Sequence, residues 1–199
     1  MKKRVRAVAF CTALVLTLGA VVAPVVAEDE PPFERFPQAL GVMFGPVSGT
    51  GLHYHAWHGV HGIGITGGII YQPVDAEFLW DVENTLDYNV GLAYQRRLFG
   101  DNFATGLAGS LYLVVGGGHR GYIPVEVTGV VDGTPTRTEG TFQADINFGV
   151  GVGIEIILLN HLSMPAEFLY GGAFTPTRLG GTEWLRIGPT GQLGLRYRY

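Results

Sequence analysis

The sequence predicts an all-β protein, an eight-stranded antiparallel up-and-down β-barrel that crosses a membrane. Three observations carry this expectation. From Thr141 to Ile156 the residues alternate strictly: Phe142, Ala144, Ile146, Phe148, Val150, Val152, Ile154 and Ile156 are apolar, while Gln143, Asp145, Asn147, Gly149, Gly151, Gly153 and Glu155 are polar or lack a side chain. Period-two alternation excludes a helix, and sixteen residues exceed the usual soluble strand of about 5 or 6. The connections between such stretches alternate between short and long, as in outer-membrane barrels with short periplasmic turns. Glycine makes up 31 of 199 residues against a typical share of about 7%. It falls mainly on the less apolar face, as a narrow interior requires.

Residues 1–27 stand apart. Lys2, Lys3, Arg4 and Arg6 precede an apolar run from Ala7 to Val26, and Val25-Val26-Ala27 offers small residues before the acidic Glu28-Asp29-Glu30. This is the pattern of a cleaved secretory signal peptide. Cys11, the one cysteine, lies inside it, so the remaining chain is expected to have no thiol chemistry. Removing the four leading cations leaves nine arginines, no lysine and seventeen acids, a charge of −8. Such a chain is unsuited to nucleic acid, whose phosphates demand a basic surface. The expected layout is a signal peptide over 1–27, a periplasmic lead over 28–37 and the barrel over 38–199.

In order, strands are expected over 38–45, 51–57, 62–71, 87–99, 103–117, 141–156, 163–174 and 186–199. Turn chemistry separates the first two at Pro46 to Gly51, the next pair at His58 to His61, the fourth and fifth at Gly100-Asp101-Asn102, and the sixth and seventh at Asn160-His161-Leu162. Gln72 to Leu86 reads as an acidic loop with an apolar tip at Phe78, Leu79 and Trp80. His119 to Glu139 reads as the longest loop, with room for a hairpin at Val131-Asp132-Gly133. Most strands approach the ~9–11 residues that cross a bilayer at a tilt, and an even count leaves no open edge. A secreted β-sandwich would also alternate, but has no need of sixteen-residue strands or of the regular difference in connection length.

The last nine residues, Gly191 to Tyr199, place Leu193, Leu195, Tyr197 and Tyr199 in alternation up to a terminal aromatic. This resembles the C-terminal strand of outer-membrane barrels that the barrel assembly machinery reads, although Phe is the commoner last residue there. With the leader and eight strands, the chain resembles the small OmpA/OmpX/OmpW-type barrels and the porin-like outer-membrane β-barrel domain proteins. The resemblance implies an outer-membrane location, contact with outer-membrane lipid and lipopolysaccharide, and a monomer.

Inward-facing Arg97, Glu155, Glu167, Arg196 and Arg198 collect in one half of the expected barrel. Buried charges must pair or stay hydrated, so Glu155 and Glu167 are expected to pair with Arg196 and Arg97 as an ionic plug; a gated or leaky pore is the other reading. Gln143, Asp145 and Asn147 are expected to be polar lumen residues. His53, His55, His58 and His61 bring imidazoles together, with His53 and His55 on one side of a strand. A metal needs a third fixed ligand, and the spacing shows none; lumen or interface histidines are the simpler reading. Ser110 and His119 are the one pair vaguely suited to hydrolysis, without an accompanying motif, and no enzyme activity and no cofactor are expected. Trp57, Tyr71, Tyr88, Tyr94, Tyr170, Trp184, Tyr197 and Tyr199 are expected to form interfacial girdles. The function expected is structural or surface-interacting, through the long loops. A narrow OmpW-like channel for small apolar molecules is the alternative.

Overall fold

The computed structural model describes residues 30–72, 84–131, 134–176 and 184–199. A four-residue helix, α1 (Pro32–Arg35), precedes nine strands: β1 (Gln38–Phe44), β2 (Gly51–His58), β3 (His61–Tyr71), β4 (Asn84–Ala104), β5 (Leu107–Val131), β6 (Thr134–Glu139), β7 (Gln143–Leu158), β8 (Leu162–Phe174) and β9 (Leu185–Arg198). Eight of them form a closed ring in the order β1-β2-β3-β4-β5-β7-β8-β9, every neighbour antiparallel. β9 closes on β1 through Leu40↔Tyr197 and Val42↔Leu195. The fold is the expected eight-stranded antiparallel up-and-down barrel. Closure pairs the ring's backbone groups and leaves it no edge.

Both described termini lie at one rim, the terminal end, together with the tight turns after β2, β4 and β7. The longer connections gather at the other rim, the loop end. Along β7, Ile146, Phe148, Val150, Val152, Ile154 and Ile156 face outward and are exposed, while Asp145, Gly149, Gly153 and Glu155 face a buried interior. β1, β4 and β9 repeat the pattern with Leu40 and Phe44, Val90, Leu92 and Tyr94, and Leu193, Leu195 and Tyr197 outside.

Several boundaries depart from expectation. The β4–β5 turn falls at Thr105-Gly106, not at Gly100 to Asn102, because Gly106 supplies the left-handed φ of 71°. Gly100 lies instead within β4, opposite Ser110. Bulges between Arg97 and Phe99 and between Asn102 and Ala104 carry the extended strand around that corner. β4 begins at Asn84, three residues before the expected start.

Most of His119 to Glu139 is strand, not loop. β5 pairs with β4 as far as Pro124 and with β7 as far as Tyr122, then continues beyond the ring paired with β6, from Val125↔Glu139 to Val131↔Thr134. Of the expected hairpin at Val131-Asp132-Gly133, residues 132–133 lie outside the described residues, as do residues 73–83 of the acidic loop with its Phe78-Leu79-Trp80 tip, residues 177–183 and the expected leader.

Candidate functional site

The interior is the chemical centre of the molecule, because the alternation that turns aliphatic side chains out turns nearly every polar one in. At the terminal end, α1 folds back beneath the barrel. Phe33 is buried against Arg97, whose guanidinium lies 4.0 Å from the ring centroid. Arg97 Nη2 also donates to Glu34 Oε1 at 3.1 Å and to the Gly59 carbonyl at 2.8 Å. Trp57 packs edge-on against His55 and Tyr112 on the inner side of the same plug. It is therefore a core residue and not a girdle aromatic. Trp57 shares the parity of His53 and His55, so the face that buries them buries it too.

Above the plug, Glu155 is the hub of an ionic layer. Its carboxylate accepts from Arg196 Nη2 at 2.6 Å, from Arg198 Nη2 at 2.7 and 2.9 Å, and from the Ser163 hydroxyl. Arg198 Nη1 donates to the Phe36 carbonyl at 3.0 Å, joining this layer to α1. Arg196 Nη1 donates to His53 Nε2 at 3.3 Å, and His53 Nδ1 meets Thr66 Oγ1 at 2.8 Å. That arrangement makes Nε2 the acceptor and Nδ1 the donor.

Glu167 belongs to a second layer built from neutral donors. Gln95 Nε2 donates to it at 2.7 Å, Tyr112 Oη at 3.0 Å and Gln192 Nε2 at 2.6 Å. The expected pairing of Glu167 with an arginine is thus corrected: among the described residues its partners are two amides and a phenol. Arg97 is likewise drawn away, to Glu34 at the rim. The cause is position along the barrel: Ser163 stands opposite Arg196, and Glu155, two residues off that row, reaches Ser163, Arg196 and Arg198, whereas Glu167 stands opposite Gln192.

At the loop end stands the β1–β2 connection, Gly45 to Thr50. It turns inward and buries Val47 and Ser48. The Ser48 amide and hydroxyl both donate to Gln192 Oε1 at 2.9 Å, which hangs the loop from the Glu167 layer. Thr50 and Asn89 exchange hydrogen bonds of 2.9 and 2.8 Å. Lumen glycines make the space: a Cβ on Gly91 would stand 2.2 Å from the Ser48 carbonyl oxygen, and one on Gly149 3.0 Å from a Val47 methyl. This explains why the first loop-end connection is so short. Above it opens a vestibule of about 1060 Å³ whose lining includes Asn89, Asp87, Arg120, Asp145, Asn147 and Arg186.

The other expected residues fall as follows. Asp145 and Asn147 line the vestibule, with Asp145 accepting from Thr175, and Gln143 accepts from Tyr122 Oη near the rim. His53 and His55 are buried in the lumen, while His58 and His61 are exposed at the terminal turn, so the four imidazoles do not converge. Ser110 is buried inside. His119, nine positions beyond Ser110 on β5, belongs to the outward set and stacks on Tyr88 of β4. The two form no dyad. Leu193, Leu195, Tyr197 and Tyr199 are exposed on the outer surface. Sequence reasoning missed Phe33, Ser48, Ser163 and Gln192; of these only Gln192 and Ser163 carried a signal, sharing the inward phase of Arg196 and Glu167.

No family model matches the chain, and no curated protein matches it. Among solved structures it is similar to the N-terminal β-barrel domain of Pseudomonas aeruginosa OprF, at 11% identity and a TM-score of 0.46 over 82% of this chain and 98% of that one. It is also similar to Ail, the attachment invasion locus protein of Yersinia pestis, at 13% identity and a TM-score of 0.34 over 82% of this chain and 94% of that one.

Proposed function

We propose that the chain is an integral outer-membrane barrel, exported by a signal peptide over 1–27, whose lumen is closed and whose role is structural or surface-interacting through the loop end. The observation that carries the reading is the inversion of the molecule: aliphatic and aromatic side chains cover the outside while its buried carboxylates and guanidiniums lie within. The outward run from Ile146 to Ile156 spans ten residue steps, ~33 Å along the strand. At a typical tilt that is ~25 Å of height, the thickness of the apolar band of such barrels. In water this surface would be a severe aggregation liability; in lipid it is the solvent-matched face.

Closure is supported by α1 at one end, the Gly45–Thr50 connection at the other, and the two polar layers between. An OmpW-like path for apolar molecules would need an apolar passage, and the interior offers charged and amide groups instead. Refolding the chain into phospholipid vesicles tests the location: the expected result is insertion with slower gel migration after boiling, and a water-soluble monomer that ignores the vesicles would contradict it.

A further inference from the structure

Five buried side-chain atoms have no hydrogen-bond partner among the described residues: His55 Nδ1, Trp57 Nε1, Arg97 Nη1, Ser110 Oγ and Arg198 Nε. They are not scattered. All belong to the lumen wall at the terminal end, around α1. Arg97 lies 5.3 Å from the Trp57 ring centroid, and Trp57 lies 5.0 Å from His55. Ser110 pairs with Gly100 on one side and with Glu155 on the other. Arg97 lies over Gly100, its Cδ 3.1 Å from where a Cβ there would stand, and Arg198 holds Glu155.

The chemistry of the set is one-sided. Indole and guanidinium nitrogens only donate, and a serine hydroxyl donates when offered an acceptor. His55 is the exception: its Nε2 faces the Gln95 carbonyl oxygen, which leaves Nδ1 as an acceptor. The buried cations of this end are Arg97, Arg196 and Arg198; Arg196 and Arg198 share Glu155, the partner of Arg97 is the half-exposed Glu34, and Glu167 is buried in the next layer. Buried donors rarely go unpaired.

We propose that the terminal end of the lumen binds a small monovalent anion of the halide class, held by Trp57 Nε1, Arg97 Nη1, Arg198 Nε and Ser110 Oγ beneath α1. The anion accepts from these unpartnered donors and locks α1 against the ionic layer. This site is separate from the vestibule and does not depend on the membrane location.

Crystals of the detergent-refolded chain soaked in bromide test the site directly. The expected result is an anomalous peak within hydrogen-bond reach of Trp57 Nε1 and Arg97 Nη1. In parallel, the urea midpoint should rise when chloride replaces gluconate at constant ionic strength, since a ligand bound only by the folded state stabilises it. Trp57→Phe, which keeps the ring and removes the N–H, should weaken the chloride dependence at least tenfold in concentration, and Ser110→Ala offers a second variant if the first does not refold. Water alone at that position, bromide confined to exposed arginines, or equal midpoints in the two salts would overturn the proposal.

Discussion

Glu155 and Arg198 are joined by two hydrogen bonds, 2.7 and 2.9 Å, between side chains with no exposed surface. Arg196 donates at 2.6 Å to Oε1, the oxygen that Arg198 also reaches at 2.7 Å, so one acid serves two guanidiniums. Removing it strands both. Glu155→Ala is expected to cost about 3–5 kcal/mol, the range for breaking a buried ion pair, as read by urea unfolding in detergent. Because Arg196→Ala removes a member of the same network, the double variant should lose less than the sum of the single losses. Additive losses would show that the two groups are not coupled.

The inward Gly45–Thr50 connection makes its own prediction. Gly91→Val would drive its side chain into the Ser48 carbonyl, a backbone atom that cannot swing aside. The connection should leave the lumen. Val47→Cys, at a buried position in a chain whose other cysteine is Cys11, reports this through thiol labelling. Slow labelling in the parent background and fast labelling with Gly91→Val is the expected pair of results; equal rates would mean that the connection is not held inside.

The ring was legible in the sequence because strand parity is a local property. The strict alternation of β7 alone decides which residues face the interior, and the same parity places His53 with His55 and Glu155 with Gly153. Partner choice was not legible. Whether Arg196 meets Glu155 or Glu167 depends on stagger between strands, which no single strand encodes; the register Ser163↔Arg196 and Glu155↔Pro165 settles it. The plugs were also hidden. Nothing in Pro-Pro-Phe-Glu-Arg or in Gly-Pro-Val-Ser-Gly-Thr announces that these segments turn inward, because their burial is decided by the barrel that surrounds them. Trp57 is the instructive miss: proximity to a strand end suggested a girdle, whereas its parity already placed it inside.

The outward belt predicts a graded response to charge. Val150→Arg, on the exposed face midway along β7, should cost about 2–4 kcal/mol in vesicles, the range for a basic residue near the bilayer midplane. Val60→Arg, in the turn between β2 and β3, should change stability by no more than about 0.5 kcal/mol, as surface substitutions usually do. Unfolding titrations of both variants make the comparison. Similar small costs at the two positions would indicate that the belt faces water.

The proposed barrel inserts in a bilayer and stays shut. Single-channel recording of the refolded chain in a planar bilayer, with heat-modifiable gel migration as the check of folding, tests this. Heat-modifiable migration with no steady conductance is the expected result, since α1, the Glu155 and Glu167 layers and the Gly45–Thr50 connection stand in series along the lumen. A steady, reproducible conductance from the folded protein would contradict it.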